Sequence, residues 1–313
     1  TLQAALIYPY CEVHQLDEQQ ITEQFGEGIQ KLIVGVRRMD AIKSLHSRAN
    51  SKKKNDDEQI DNVRRMLLAM VEDVRAVVLK LAERICTLQK VKNEDEETRV
   101  LVARECANIY APLANRLGIG QLKWELEDHS FRYLHPNTYK QIAGLLDERR
   151  SDREQYIEDF VGQLQEVLDS QNIKAKVYGR PKHIYSIWKK MQKKHLNFEQ
   201  LYDIRAVRII ADRLQDCYAA LGVVHANWKH IRNEFDDYIA TPKPNGYQSI
   251  HTVTLGKQGK TIEIQIRTAK MHEDAELGVA AHWRYKEGTT SSRSAYEERI
   301  NWLRKILLWQ EEV

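Results

Sequence analysis

The hydrophobic period of the chain changes once, near Asn172, and this change constrains the fold more than any other feature. Before it, apolar residues recur at helical spacing, as at Val63, Met66, Leu67 and Met70. After it, alternating segments typical of strands are interleaved with helical segments. The predicted strands are 174–178, 202–210, 247–255 and 261–267, and the predicted helices are 182–194, 214–225 and 271–285. We therefore predict an α+β protein whose N-terminal part is all-α.

Length and composition favour two domains without a membrane span. The chain has 313 residues, about twice a usual domain, and 42% of them are hydrophobic. No apolar run approaches the roughly 20 residues that cross a bilayer, so we expect a soluble cytoplasmic protein. The four cysteines form no CxxC pair, which predicts reduced thiols. The chain begins at Thr1 without methionine, and we expect it to be a piece of a longer protein.

The first chemically informative segment is GRPKHIYSIWKK at 179–190. A helix that opens at Pro181 places Lys182, Ser186 and Lys190 on one stripe. Backbone N–H groups at a helix start attract anions, and Arg180 just before it adds a positive charge, so a triphosphate is a suitable ligand. The alternative is a solvated lysine face, which is common in surface helices.

Two carboxylates on different predicted strands are candidates for a Mg²⁺ site. Asp203 and Arg205 point to one side of the strand 202–210, whereas Arg208 points to the other. In 261–267, Glu263, Gln265 and Arg267 alternate with isoleucines and line one face. Mg²⁺ usually takes one or two carboxylates and completes its octahedron with phosphates and water. The same alternation is also typical of an ordinary half-exposed strand.

Between these strands lies a tight loop with two prolines and a glycine, followed by alternating polar residues. The strand after it is predicted to turn Tyr247, Ser249 and His251 to one side. Tyr247 can stack on a base, and Lys243 and His251 can meet phosphates or a hydroxyl. Alternatively, Tyr247 caps the core and His251 is a satisfied hydrogen bonder.

Five runs occur in the order of one known family: GRPKHIYSIWKKMQKK, YDIRAVRI, YIATPKPNGYQSIHT, IEIQIRT and MHEDAELGVAAHW. Together they resemble the synthetase domain of the long RelA/SpoT homologues, RelA-type (p)ppGpp synthetases of the stringent response. The resemblance implies a mixed-sheet, nucleotidyltransferase-like domain in which Asp203 and Glu263 handle Mg²⁺. It further implies an ATP side formed by Arg180, Lys182, Ser186, Lys190 and Arg208, and a GDP or GTP side formed by Lys243, Asn245, Tyr247, His251 and Gln265.

The implied activity is pyrophosphate transfer from ATP to the 3′-hydroxyl of GDP or GTP. The resemblance also implies the ribosome and uncharged tRNA as partners, acting through a C-terminal region that is not among these 313 residues. Glu234, Asp236 and Asp237 resemble the acidic motif of synthetase-only members, and we expect them to attract a second Mg²⁺. The alternative interpretation of this motif is a solvated acidic loop.

The N-terminal half resembles the family's hydrolase domain without its metal ligands. Tyr8 and Pro9 stand at the place of a His-Asp pair, and Glu83, Cys86 and Thr87 replace the Asp, His and Asn of a second motif. Since a set of imidazole and carboxylate ligands that could hold a divalent ion is missing there, we predict a hydrolytically silent domain.

The predicted domain division has four parts: a silent hydrolase-like domain at 1–150, a connecting helix at 151–172, a synthetase domain at 173–288, and a linker with a C-terminal helix at 289–313. Ser151 and Glu154 form a capping-box pattern for a helix from Asp152 to about Ser170. Two rival functions share these features: a nucleotidyltransferase that extends RNA, and a non-catalytic RNA-binding or regulatory module. The first is expected to carry a third metal carboxylate and a broad basic track, whereas the net charge here is only +3.

Overall fold

The computed structural model describes residues 1–49, 73–148, 150–180, 182–198, 201 and 205–278. Pro181, Asp203, most of the predicted polar loop 47–58 and the predicted C-terminal segment 289–313 lie outside these ranges. The described residues group into two compact units, which divide between Arg116 and Leu117. This boundary comes earlier than the predicted residue 150, because helices after Leu117 pack in the unit that contains the sheet.

The first unit is helical throughout its described residues, as the 3.6-residue period predicts. Its helices are α1 (Leu2–Val13), α2 (Glu18–Phe25), α3 (Glu27–Ala49), α4 (Val74–Lys90), α5 (Glu96–Glu105) and α6 (Ala111–Arg116), with a π-helical turn at Cys106–Tyr110 between the last two. Small apolar clusters, one around Leu32 and Val36 and another around Cys11 and Ile33, form its interior.

The second unit contains the remaining helices and a five-stranded sheet. Its helices are α7 (Gly120–Leu134), α8 (Pro136–Glu148), α9 (Arg150–Ser170), α10 (Ile184–Lys194), α11 (Leu214–Asn227) and α12 (Ala269–Leu277). The strands are β1 (Ala175–Gly179), β2 (Ala206–Ala211), β3 (His230–Asp237), β4 (Ile250–Leu255) and β5 (Thr261–Thr268). The fold is therefore α+β, as predicted.

The sheet is mixed and has the strand order β1-β2-β5-β4-β3. Only β2 and β5 are parallel, and the other neighbours are antiparallel. Isoleucines 262, 264 and 266 face a core shared with α9 and α11, where Phe160, Leu164 and Val224 are buried. The polar residues of β5 therefore lie on the opposite face of the sheet.

Several predictions of secondary structure were wrong. Strand β3 was not predicted, because its sequence HIRNEFDD is too polar to show alternation, and it lies at the edge of the sheet. Helix α9 already includes Arg150, so Ser151 is not its N-cap. Helix α10 begins at Ile184 rather than at Pro181, with His183 in extended backbone as its N-cap.

All four cysteines are free thiols, as predicted from their spacing. No helix in the described part of the chain combines the length and apolarity that a membrane crossing requires.

Candidate functional site

The polar face of the sheet gathers residues from several strands. Strand pairing sets Gln265 between Arg208 of β2 and His251 of β4, and sets Tyr178 of β1 beside Arg208. Since paired residues in a sheet point to the same side, these side chains share a face with Glu263. Gln265 and Arg267 are 2% and 1% exposed. Such burial distinguishes this face from an ordinary half-exposed strand.

Glu263 lies at the centre of this face, with three polar neighbours. Its Oε1 accepts a hydrogen bond from Gln265 Nε2 at 3.0 Å and lies 3.5 Å from His251 Nδ1, and its Oε2 lies 3.6 Å from Lys182 Nζ. Burial alone would raise the pKa of Glu263, but the charge of Lys182, the neighbouring His251 and the hydrogen bond from Gln265 lower it to about 2. The carboxylate is therefore ionised at neutral pH and suits a cation.

The loop before β4 brings aromatic and cationic groups beside this carboxylate. Tyr247 Oη lies 2.8 Å from His251 Nε2, and Lys243 Nζ lies 4.2 Å and 5.5 Å from the ring centroids of Tyr238 and Tyr247. Burial lowers the pKa of His251 to about 4, so the imidazole is neutral at pH 7. Asn245 Oδ1 accepts from the backbone N–H of Tyr247 and fixes the loop.

Ser249 does not join these side chains, contrary to the sequence prediction. It is fully buried, and its hydroxyl donates to the backbone carbonyl of Ile266 at 3.2 Å. The prediction failed because β4 begins at Ile250, so the regular alternation does not extend back to Tyr247.

The residues predicted to form one stripe of a helix, Lys182, Ser186 and Lys190, do not all lie on that helix in the structure. Lys182 precedes α10 and reaches Glu263, while Ser186 and Lys190 lie one turn apart within α10. Asp128 from α7 caps the helix start, since its Oδ1 accepts from Tyr185 N at 2.8 Å and its Oδ2 lies 3.1 Å from His183 Nδ1. This helix end therefore already has an anion of the protein beside it.

Arg180 and Lys182 line a cavity of about 520 Å³ between β1 and α9. Apolar side chains, among them Ile157, Val161 and Val177, form the remaining wall together with Glu154 and Glu158. Arg180 also lies over the Trp124 ring, with its Cζ 5.2 Å from the centroid. The cavity therefore combines an apolar wall with two cations and two carboxylates.

Arg205 and Arg208 do not converge, as the alternation argument predicted. Arg205 Cζ lies 5.4 Å from the ring centroid of Tyr156 on α9, the helix that packs on the apolar side of the sheet. Arg208 Nη1 lies 3.1 Å from Glu276 Oε1 on the polar side. The backbone carbonyl of Arg205 accepts from the N–H of Glu263 at 2.9 Å, which places residue 205 beside Glu263.

The acidic motif lies on β3, at the edge of the sheet, and not in a loop. Asp236 pairs with His251 in the β3–β4 register, so it belongs to the polar face. Asp237 is engaged in the turn that follows: Oδ1 accepts from the N–H groups of Ile239 and Ala240, and Oδ2 accepts from Tyr218 Oη at 3.1 Å. Glu234 is half-buried on the same strand.

A second cluster on this face was not predicted from the sequence. It is formed by His272 and Glu276 of α12 with Arg208 and Arg267 of the sheet. Glu276 Oε1 accepts from Arg208 and from Arg267, and His272 Nδ1 lies 2.8 Å from Arg267 Nη2. His272 and Glu276 are four residues apart in a helical segment, a spacing that could have shown them on one helix face. Burial and the two arginines lower the pKa of His272 to about 4.

In the helical unit, a buried lysine lies among acidic side chains. Lys80 is fully buried, with Nζ 2.5 Å from Asp40 Oδ1 and 2.9 Å from Glu83 Oε2. Arg84 donates to Glu83 at 2.6 Å and lies 3.7 Å from Glu105. Tyr8 donates to Asp40 at 3.5 Å, and Thr87 donates to Glu83. Two fixed cations, Lys80 and Arg84, thus offset most of the negative charge of these three carboxylates.

Two family models match the chain. The model described as a region found in RelA / SpoT proteins matches residues 179–290, and the HD domain model matches residues 1–120. These matches cover the two parts of the chain that the change of hydrophobic period separates.

Curated relatives align over the whole chain or nearly all of it. The GTP pyrophosphokinases of Escherichia coli strain K12 and Haemophilus influenzae are 63% and 60% identical over 100% of this chain. A probable guanosine-3′,5′-bis(diphosphate) 3′-pyrophosphohydrolase of Synechocystis is 42% identical over 99% of it. The chain spans 42% of the length of the first two relatives and 40% of the third.

Among solved structures, small alarmone synthetase 1 from Bacillus subtilis aligns with 56% of this chain and 99% of its own, at 24% identity and a TM-score of 0.35. A TM-score this low adds nothing to the assignment. The assignment rests on the two family models and on relatives at 60% identity and above. On these grounds, the chain belongs to the RelA/SpoT family.

Proposed function

We propose that the chain transfers pyrophosphate from ATP to the 3′-hydroxyl of GDP or GTP and so makes ppGpp or pppGpp. One observation carries this proposal. Among the described residues, three buried polar atoms on the polar face have no hydrogen-bond partner: Gln265 Oε1, Arg208 Nε and Arg267 Nε. Buried polar atoms are nearly always satisfied, so a ligand that meets all three is expected. A nucleotide offers both donors and anionic acceptors.

The two substrates are assigned to opposite sides of Glu263. ATP is assigned to the cavity side, where Arg180 and Lys182 balance the charge of its phosphates. The other residues assigned to ATP are Ser186, Lys190 and Arg208. The guanine nucleotide is assigned to the loop side, where Tyr247 stacks on the base and Lys243 meets phosphate. Asn245 holds the loop, while His251 and Gln265 link it to Glu263. This arrangement brings the 3′-hydroxyl close to the carboxylate.

In the reaction, the 3′-oxygen of the guanine nucleotide attacks the β-phosphorus of ATP. The bond from the β-phosphorus to the bridging oxygen breaks, AMP leaves with that oxygen, and the hydroxyl proton passes to solvent. Such transfer depends on alignment and charge neutralisation more than on covalent help from the protein. A carboxylate with a pKa of about 2 is a weak base, so Glu263 is assigned to orienting the hydroxyl and holding a cation rather than to taking its proton.

We assign Mg²⁺ to Glu263 and Asp203. The ionised, buried carboxylate of Glu263 supplies the oxygen ligand that Mg²⁺ prefers, so the described residues fit this ion. Asp203 lies outside the described residues, so its part in this assignment rests on the family resemblance of the run YDIRAVRI. Mg²⁺ held by these carboxylates would supply positive charge to the phosphate oxygens. A second ion at Glu234 and Asp236 is part of the same proposal.

The proposal is tested by incubating the chain with ATP, GDP and MgCl₂ and separating the nucleotides by anion-exchange chromatography. We expect AMP and a guanosine tetraphosphate in equal amounts, and neither product when GDP is replaced by 3′-deoxy-GDP. Consumption of ATP that is independent of the 3′-hydroxyl would contradict the proposal. A non-catalytic binding module would leave both nucleotides unchanged.

We also propose that the helical unit has no hydrolase activity. Lys80 and Arg84 supply fixed positive charges to Asp40, Glu83 and Glu105, and a divalent ion there would meet like charge. Pro9, within α1, has no ligand atom, and Cys86 is exposed.

When the purified chain is incubated with ppGpp and MnCl₂, we expect no release of pyrophosphate above the protein-free background. A bifunctional relative run in parallel shows that the conditions support hydrolysis. Manganese-dependent release by this chain that EDTA abolishes would show that the helical unit is active.

A further inference from the structure

The polar face contains a guanidinium pair that shares one carboxylate. Glu276 Oε1 lies 3.1 Å from Arg208 Nη1 and 3.2 Å from Arg267 Nη2. Arg208 and Arg267 are 6% and 1% exposed, so both charges are held almost out of water. Two buried cations repel strongly unless an anion lies between them, and Glu276 is that anion.

Each arginine of the pair contacts an aromatic ring on a different side of the face. Arg208 Cζ lies 5.9 Å from the ring centroid of Tyr178, a residue that lines the cavity assigned to ATP. Arg267 Cζ lies 5.8 Å from the ring centroid of Tyr247, which is assigned to the guanine base. A single carboxylate oxygen therefore connects the two proposed nucleotide sides.

The helix that bears Glu276 is held firmly. Thr268 caps the start of α12 by accepting from Met271 N, and Gly278 ends the helix with a φ of +51°. A side chain at Gly278 would collide with the backbone of Leu117 and Gly118. His272 on the same helix makes two further contacts with the sheet. Its Nδ1 lies 2.8 Å from Arg267 Nη2, and its Nε2 lies 3.3 Å from Tyr178 Oη. Because this helix is fixed, we expect a shift of one arginine to be passed through Glu276 to the other arginine rather than to move the helix.

We propose that Glu276 is a positioning residue that couples ATP binding to guanine-nucleotide binding. It acts by holding Arg208 and Arg267 at a fixed separation, so that a nucleotide that orders one arginine orders the other. The proposal rests on the function proposed above, because it needs both nucleotides on this face. Glu276 itself touches neither substrate in this assignment.

The test is the change in GDP affinity caused by an ATP analogue with a methylene group between its α- and β-phosphorus atoms, which cannot react. Calorimetry on the wild-type chain is expected to show GDP binding strengthened about tenfold by the analogue. In Glu276→Gln, which keeps the shape but not the charge, this strengthening is expected to fall below about twofold. In turnover, KM for both substrates is expected to rise about fivefold with kcat changed less than about threefold.

Asp274→Asn is the matched control. It removes one negative charge from the same helix, where Asp274 forms an ion pair with the exposed Lys270 at 2.8 Å. Its coupling is expected to equal that of the wild type. A Glu276→Gln variant that folds and retains full coupling would overturn the inference, as would a wild-type chain in which the analogue leaves GDP affinity unchanged.

If Glu276→Gln does not fold, as judged by thermal unfolding, Glu276→Asp takes its place, because the shorter carboxylate keeps the charge but cannot reach both arginines at these distances. Full coupling in that variant overturns the inference. A wild-type chain that makes no tetraphosphate contradicts the proposed function instead, so the two failures are distinguishable.

Discussion

Replacing Glu263 by glutamine is expected to reduce formation of the guanosine tetraphosphate at least about a hundredfold. The amide keeps the shape of the side chain but removes the negative charge that faces Lys182 and His251. Without it, a cation on this face loses its anionic ligand, and the attacking hydroxyl loses a charged hydrogen-bond acceptor. The initial rate of AMP formation with saturating ATP, GDP and MgCl₂ measures the effect.

Glu273→Gln on α12 is the control, since it makes the same chemical change at a half-buried helix position with no assigned role. Near-UV circular dichroism establishes that Glu263→Gln retains its fold. The same loss is predicted for Asp203→Asn. Turnover within about threefold of wild type in a folded Glu263→Gln variant would remove Glu263 from the mechanism.

Replacing Lys80 by methionine is expected to lower the free energy of unfolding by about 3–5 kcal/mol. The fully buried ammonium has ion pairs with Asp40 and Glu83, and methionine fills a similar volume without charge. The two partly exposed carboxylates then lose their buried counter-charge. Urea unfolding followed by far-UV circular dichroism measures the change, and Lys90→Met at the exposed end of α4 is expected to cost less than about 1 kcal/mol.

The loss caused by Lys80→Met is expected to depend on pH. Burial would raise the pKa of Glu83, but the hydrogen bond from Arg84 and the charges of Lys80 and Arg84 lower it to about 2, below its unfolded value of 4.5. The stability from this carboxylate is therefore fully present above pH 4.5 and is lost as the pH falls towards 2. The difference between wild type and variant should shrink over the same range. A difference below 1 kcal/mol at pH 7 would show that the lysine is not the structural counter-charge.

The alternation of β5 was predictable from sequence, since isoleucines at every second position leave Glu263, Gln265 and Arg267 on the other face. The order of the strands was not, because β3 carries the polar sequence HIRNEFDD at a sheet edge and shows no alternation. The contact between Lys182 and Glu263 also could not be predicted. It depends on α10 starting at Ile184, and Asp128, distant in sequence, provides the cap there.

Lys80 shows a different limit of sequence reasoning. The pattern VVLKLA places a lysine on the apolar face of α4, which indicates an unusual position but not its partners. One partner, Glu83, is a near neighbour on the helix, whereas Asp40 comes from α3. Tertiary packing decided the role of the residue, just as it did for Glu276, whose two arginines come from two different strands.

The most direct test of pyrophosphate transfer follows a label in the β-phosphorus of ATP. With GDP, MgCl₂ and the 313-residue chain, we predict that the label appears wholly in the guanosine tetraphosphate, at its 3′-pyrophosphate, while the unlabelled product is AMP. Nucleotidyl transfer would instead release the label as inorganic pyrophosphate and attach AMP to the acceptor. Label in free pyrophosphate, or label that stays in ATP while GDP is unchanged, would contradict the account.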